Sequence, residues 1–120
     1  MNHNQSVVIT GIGAVSPLGL DIQSSWSELI EGRSGIEFIT AFDTEGFDTR
    51  FAGEVKSFDP EQYMDRKDAR RMDRFAQFAV TAAKEACKQA DLDISKLDPF
   101  RVGVVVGSGI GGIVTLSEQQ

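Results

Sequence analysis

A glycine-rich segment near the end of the sequence has a spacing that could serve ligand chemistry. It reads G-S-G-I-G-G from Gly107 to Gly112 and follows the apolar run Val102–Val106. A strand followed by G-x-G-x-x-G is the fingerprint of a nicotinamide-type dinucleotide site, but there the glycines follow the first strand and an acid lies about 20 residues on. Here they follow the last apolar run, and the position of the acid lies beyond Gln120. Three interpretations stay open: a dinucleotide site with an incomplete fingerprint, a tight packing turn, or the wall of a slender apolar pocket with Ile110 as its one large side chain.

A cluster of basic residues is the second feature that could do chemistry. The chain has a net charge of −6, yet residues 65–74 hold five of its twelve Lys and Arg residues and only three acids. On one continuous helix, Lys67, Arg70, Arg71 and Arg74 would stand at i, i+3, i+4 and i+7 and share a face. That face could be simply solvated, or it could dock an anionic partner. The acidic balance and the lack of interleaved aromatic residues argue against nucleic acid.

Few residues could serve as a nucleophile, a base or a metal ligand. Cys87 falls on the apolar stripe of a predicted helix, with no cationic neighbour to activate it, and is interpreted as structural. The one histidine, His3, lies in a polar N-terminal tail and cannot be a well-held base. No His, Cys and carboxylate spacing suits a metal, so the sequence predicts no catalytic group, metal or cofactor in this chain.

Alternating strands and helices are predicted to position these residues. The predicted elements are a strand at Ser6–Thr10, a helix from the N-cap Asp21 to Gly32, an irregular extended stretch at 33–49, a short strand at 50–58, a helix start at Asp59-Pro60, a helix at Asp73–Ala90 and a buried strand at Val102–Val106. This order predicts an α/β layered fold with a partly parallel sheet.

The helix predicted at 73–90 has the strongest pattern. Its apolar stripe is rich in alanine, which would let a neighbouring element approach closely, while Arg74, Gln77 and Thr81 are predicted to face solvent. Trp26, on the apolar face of the helix predicted from Asp21 to Gly32, is predicted to be core. No run of 18 apolar residues or secretory signal is present, and the single cysteine suits a reducing cytoplasm.

Several separate segments, in order and spacing, resemble bacterial β-ketoacyl-acyl carrier protein synthases of type II. These segments are VVITGIGAVSPLG (7–19), SGI (34–36), FDT…FAGEV (42–55), DRKDARRMDRF (65–75) and GVVVGSGIGG (103–112). The resemblance runs from about Ser6 to Gln120. It implies that residues 1–120 are a partial N-terminal β-ketoacyl synthase domain, because members of the family are several times longer.

The resemblance also implies a fold and an activity. The fold would be the thiolase-like αβαβα layered fold, of which this chain is only part of the N-terminal half, in a cytoplasmic homodimer. The activity would be the condensation step of fatty-acid elongation, in which malonyl-carrier protein loses CO₂ and attacks an acyl-enzyme to give a 3-oxoacyl product. The catalytic cysteine and two histidines of the family lie downstream of the glycine segment, so the isolated chain is expected to be inactive.

The site residues that can be carried over are few. Lys67, Arg70 and Arg71 match the short basic element with which the family contacts the acidic acyl carrier protein, and Arg74 extends that stripe by helical count. Ile110 matches a residue that lines the acyl pocket. The implied partners are the carrier protein and acyl and malonyl thioesters, with no nucleic acid or membrane. A polyketide ketosynthase, a non-catalytic chain-length partner and a non-enzymatic carrier-binding module remain as alternatives.

Overall fold

Helices dominate the computed structural model, which describes residues 6–119; His3 therefore lies outside the described residues. The elements in chain order are α1 (Ile22–Ile30), β1 (Ile36–Phe38), β2 (Phe51–Gly53), α2 (Arg66–Ala69), α3 (Arg74–Gln89) and α4 (Ile113–Glu118), with single 3₁₀ turns at Pro60–Gln62, Ile94–Lys96 and Pro99–Arg101. None of the helices in this range combines the length and the apolar content needed to cross a bilayer.

The N-terminal segment is packed directly on α3. A Cβ atom added to Gly11 would lie 2.1 Å from the Ala86 carbonyl oxygen, and one added to Gly13 would lie 1.9 Å from that of Ala82. The carboxylate of Glu85 accepts hydrogen bonds from the backbone N–H groups of Ala14 and Ile22, both at 2.9 Å. The prediction that the small residues of α3 allow a close approach is therefore confirmed.

The two ends of α1 are set by local signals, as predicted. The Asp21 carboxylate accepts a hydrogen bond from the Ser24 backbone N–H at 2.7 Å. Gly32 has φ +73° and donates to Leu29, while Arg33 donates to the Glu28 carbonyl, which is the Schellman arrangement. The prediction that Trp26 belongs to the core is wrong, since it is 56% exposed.

A two-stranded hairpin follows α1. Strands β1 and β2 pair antiparallel, with Phe38 opposite Phe51. The Glu54 carboxylate accepts hydrogen bonds from the Thr40 backbone N–H and hydroxyl and from the Ala41 N–H. The Thr40 backbone bond is the main cause that holds the pKa of Glu54 below its ordinary value of 4.5. The strand predicted at 50–58 is thus confirmed only for three residues, and the stretch predicted to be irregular contains β1.

The well-buried apolar residues lie around α2 and the start of α3: Phe58, Met64 and Ala69 are 7%, 8% and 5% exposed. The Phe58 ring stacks on Tyr63 and meets Phe78 edge-on, with centroids 5.4 and 4.9 Å apart. This aromatic cluster anchors the chain that leads into α2.

Two predicted strands, at 6–10 and 102–106, are absent from the described structure. Both segments lack strand pairing there, and their valines are exposed, 98% for Val7 and 99% for Val105. A strand forms when its backbone N–H and C=O groups pair with a neighbour, and these apolar runs do not pair with each other or with the hairpin. The prediction that they are buried strands is wrong for the part of the chain that the structure describes.

Candidate functional site

The basic residues do not share one helix face. Lys67 lies in α2, Arg70 is its C-terminal cap, and Arg71 lies in the turn that follows. The backbone of Asp73 is extended, with φ −62° and ψ 156°, and a new helix begins at Arg74. The prediction that all four cations stand on one continuous helix is therefore wrong, because the helix is interrupted between Arg70 and Arg74.

Lys67, Arg70 and Arg71 still form one exposed group, here called the basic patch. Within residues 6–119, none of the three takes part in an ion pair. The neighbouring Arg66 differs, since its Nε lies 3.3 Å from Glu61 Oε1. Exposed cations without an anionic partner leave a local positive potential, which can steer and bind an anionic surface.

The polypeptide beneath the basic patch is fastened to α3. The Gln77 side-chain Nε2 donates to the carbonyl oxygens of Ala69 at 2.8 Å and Met72 at 3.1 Å. The Lys84 ammonium donates to the Tyr63 carbonyl at 2.7 Å. Gln77 was predicted to face solvent and instead satisfies two carbonyls at the end of α2. The patch is thus presented by a short element that is tied down on both sides.

The Arg74 guanidinium makes contacts within the protein. Its Nη2 donates to the Val55 carbonyl at 2.7 Å, and its Cζ lies 4.9 Å from the Phe78 ring centroid and 5.6 Å from that of Phe58. The guanidinium therefore links the segment after β2 to the aromatic cluster. The prediction that Arg74 extends the same helix face is therefore wrong, whereas its contact with the carrier protein stays a prediction.

We expect Arg74→Ala to lower the free energy of unfolding by about 2 kcal/mol, because a charged hydrogen bond and cation–π contacts are lost together. Arg70→Ala removes the same charge from an exposed position, and its cost should stay within about 0.5 kcal/mol. Denaturant unfolding of the full-length protein measures both. Equal destabilisation by the two substitutions would contradict the structural role of Arg74.

The glycine-rich segment lies beside the start of α3. Gly111 has φ +72° and donates its N–H to Ser108 Oγ at 2.9 Å, and Gly112 is the N-terminal cap of α4. A Cβ atom added to Gly112 would lie 2.1 Å from Asp73 Oδ2. Glycine is thus required at Gly111 by the turn and at Gly112 by the close approach of Asp73. The Ile110 side chain is 76% exposed.

A cavity of about 280 Å³ lies between the glycine-rich segment and the turn before α3. It is lined on one side by Met72, Asp73 and Phe75 and on the other by residues 111–115. The Asp73 carboxylate also accepts a hydrogen bond from the Thr115 hydroxyl. The structure therefore places Asp73, in the turn that follows the basic patch, against the end of the glycine-rich segment, a contact that the sequence did not predict.

Two further residues of α3 qualify the sequence analysis. Cys87 is a free, partly buried thiol, and its structural role stays a prediction. Thr81 was predicted to face solvent but is only 3% exposed. The helix is covered on more sides than its apolar stripe indicates, since both the N-terminal segment and the aromatic cluster lie against it.

Comparison with known proteins identifies the class. The model of the family described as "Beta-ketoacyl synthase, N-terminal domain" matches residues 4–120, and the chain belongs to this family. It is 50% identical over 115 residues to the 3-oxoacyl-[acyl-carrier-protein] synthase 2 of Staphylococcus aureus (strain COL), which covers 96% of this chain and 28% of that protein. The protein of the same name from Synechocystis sp. is 50% identical over 118 residues, again 28% of its length. The chain thus spans little more than a quarter of these curated relatives.

Solved structures agree on the fold. The ishigamide ketosynthase/chain length factor superposes with a TM-score of 0.76 at 36% identity, covering 93% of this chain and 28% of that one. A type II PKS acyl-carrier protein in complex with its ketosynthase, bound to the hexaketide, gives a TM-score of 0.60 at 29% identity over 78% of this chain and 23% of that one. The predicted thiolase-like fold, of which this chain is a partial N-terminal piece, is confirmed.

Proposed function

We propose that this chain is the N-terminal part of a β-ketoacyl-acyl carrier protein synthase that catalyses the condensation step of fatty-acid elongation. The observation that carries the proposal is the 50% identity, over 96% of the chain, to a 3-oxoacyl-[acyl-carrier-protein] synthase 2. The polyketide proteins that match in structure are more distant, at 36% and 29% identity. We therefore place the fatty-acid reaction ahead of a polyketide ketosynthase.

In the proposed reaction, the acyl group leaves the carrier thioester and forms a new thioester with an enzyme cysteine. Malonyl-carrier protein then loses CO₂, and the electron pair left on its α-carbon attacks that thioester. A carbon–carbon bond forms, and the cysteine thiolate leaves. The groups that perform these steps lie outside this chain in the family. Pre-formed donors for the thioester oxygen and an activated thiolate are the physical demands they must meet.

The segment itself is proposed to supply binding rather than chemistry. Lys67, Arg70 and Arg71 would contact the acidic carrier protein, a role supported by their exposure and by the ion pairs they lack within residues 6–119. Ile110 would line the acyl pocket, supported by its place in a glycine-rich segment with little side-chain bulk. The homodimer and the cytoplasmic location remain predictions from the family resemblance.

A condensation assay tests the proposal. The full-length protein, given acyl-carrier and malonyl-carrier thioesters, should form a 3-oxoacyl-carrier product two carbons longer, detected by mass spectrometry. The 120-residue chain alone should form none. Carbon–carbon bond formation by the isolated chain would contradict the assignment of catalysis to other residues. A full-length protein that binds carrier without condensing would instead support a chain-length partner or a binding module.

A further inference from the structure

Asp73 makes contacts that its position in the sequence does not explain. It precedes α3, where an aspartate would ordinarily accept a hydrogen bond from the helix's own N-terminal N–H groups. Its side chain makes no such capping bond. The carboxylate accepts instead from the Thr115 hydroxyl of α4, 42 residues away, and lies against Gly112. The Asp73 side chain therefore connects the start of α3 to α4 and does not cap α3.

This contact joins the two parts of the candidate site. Arg71 of the basic patch stands two residues before Asp73, and Ile110 stands two residues before Gly112. Two residues span at most about 7 Å, so each functional side chain lies close to the contact along its own chain. Between Ile110 and Gly112 the backbone is further restrained by the left-handed Gly111 and its bond to Ser108. A displacement of the Asp73 carboxylate would therefore also displace Ile110, because few rotatable backbone bonds lie between Ile110 and Gly112.

We propose that Asp73 is a positioning residue, which through Thr115 and Gly112 holds the glycine-rich segment and Ile110 in place beside the basic patch. This rests on the proposed function, because it takes Ile110 as part of the acyl pocket. An acyl chain long enough to reach Ile110 depends on the position of that side chain, whereas a shorter chain does not. Loss of the contact should therefore reduce reaction with long acyl chains selectively.

Thr115→Val tests the proposal, since it removes the hydroxyl while keeping the shape of the side chain. In the full-length protein, we expect the ratio of kcat/KM for a long against a short acyl-carrier substrate to fall about tenfold, the usual effect of losing a hydrogen bond to a charged group. The KM for the carrier should not change, because Gln77 holds the basic patch separately. Thr115→Ser, which restores the hydroxyl, should recover the wild-type ratio.

The matched control is Ser117→Ala, which removes an exposed hydroxyl from the same helix. It should leave the ratio unchanged. An equal loss for all chain lengths, or an unchanged ratio in Thr115→Val, would overturn the proposal. If Thr115→Val fails to fold, Asp73→Asn, which keeps the shape and removes the charge, replaces it with the same expected direction.

Hydrogen exchange separates failure of this proposal from failure of the proposed function. The Gly111 amide, which donates to Ser108 Oγ, should exchange faster in Thr115→Val than in wild type, while the amides of α3 should not. If the wild-type protein forms no 3-oxoacyl product, the proposed function fails and exchange alone decides whether Asp73 holds the segment. If the wild-type protein forms the 3-oxoacyl product, and Thr115→Val has the same amide exchange and the same kcat/KM ratio as wild type, only the positioning role of Asp73 is overturned.

Discussion

Reversing two charges of the basic patch, Lys67→Glu with Arg71→Glu, is expected to raise the KM for carrier-bound substrates about tenfold or more in the full-length enzyme, because like charges facing each other across an interface cost several kcal/mol. Both side chains are exposed and, within residues 6–119, form no ion pair, so the substitution disturbs few contacts inside the protein. Turnover of small thioesters, which bring no carrier protein, should stay near wild type. Steady-state kinetics with the two substrate types measures the difference.

Lys88→Glu with Arg101→Glu is the matched control, because it changes the net charge by the same amount at exposed positions outside the basic patch that form no ion pair within residues 6–119. It should alter the KM for carrier substrates little. Raising the ionic strength should weaken carrier binding in wild type and narrow the gap to the Lys67/Arg71 variant, since screening acts on exposed charges. An equal loss with carrier-bound and small substrates would count against docking by the basic patch.

Gly13→Ala is expected to destabilise the protein by about 3 kcal/mol, the upper part of the range for overpacking a tight contact. The added Cβ would lie 1.9 Å from the Ala82 carbonyl oxygen and 3.0 Å from the Ala86 nitrogen. Both atoms belong to the backbone of α3, which cannot rotate away as a flexible side chain could. The N-terminal segment would have to lift from the helix, and its hydrogen bonds to Gln89 and Glu85 would lengthen.

Gly103→Ala is the control for that substitution, since nothing lies within 4 Å of its added Cβ in the described structure. Its effect should stay within about 0.5 kcal/mol. Denaturant unfolding of the full-length protein compares the two. If Gly13→Ala proved as mild as Gly103→Ala, the close approach of the N-terminal segment to α3 would not exist in solution.

The family and the two longest helices, α1 and α3, could be predicted from the sequence alone, whereas α4 was not predicted and the helix start predicted at Asp59-Pro60 is a single 3₁₀ turn. Helix α1 begins at Asp21 and stops at Gly32 because both signals act within four residues of the terminus. Helix α3 was predictable to within one residue at each end, because its periodicity is long and uninterrupted. Motifs spread along the chain were enough to predict the thiolase-like fold, since their order and spacing are matched in the family.

The residues of the candidate site could be listed from the sequence, but their positions relative to one another could not be predicted. Helical counting placed Lys67, Arg70, Arg71 and Arg74 on one face because it assumed one helix, and the extended backbone at Asp73 breaks that helix. The helix predicted at 73–90 already begins at Asp73, so the count from Lys67 to Arg74 crossed a predicted helix start. In the structure, Gln77 satisfies the carbonyl groups of Ala69 and Met72 beside this break.

The contacts of several long side chains depend on the tertiary structure. Arg74 reaches Val55 across 19 positions, Asp73 reaches Thr115 across 42, and Glu85 reaches Ala14 across 71. Strand pairing is decided in the same way, because the apolar runs at 6–10 and 102–106 become strands only where another strand offers its hydrogen-bonding groups. Caps and periodicity are local and can be predicted from neighbours in sequence, whereas these contacts depend on which distant segments the fold brings together.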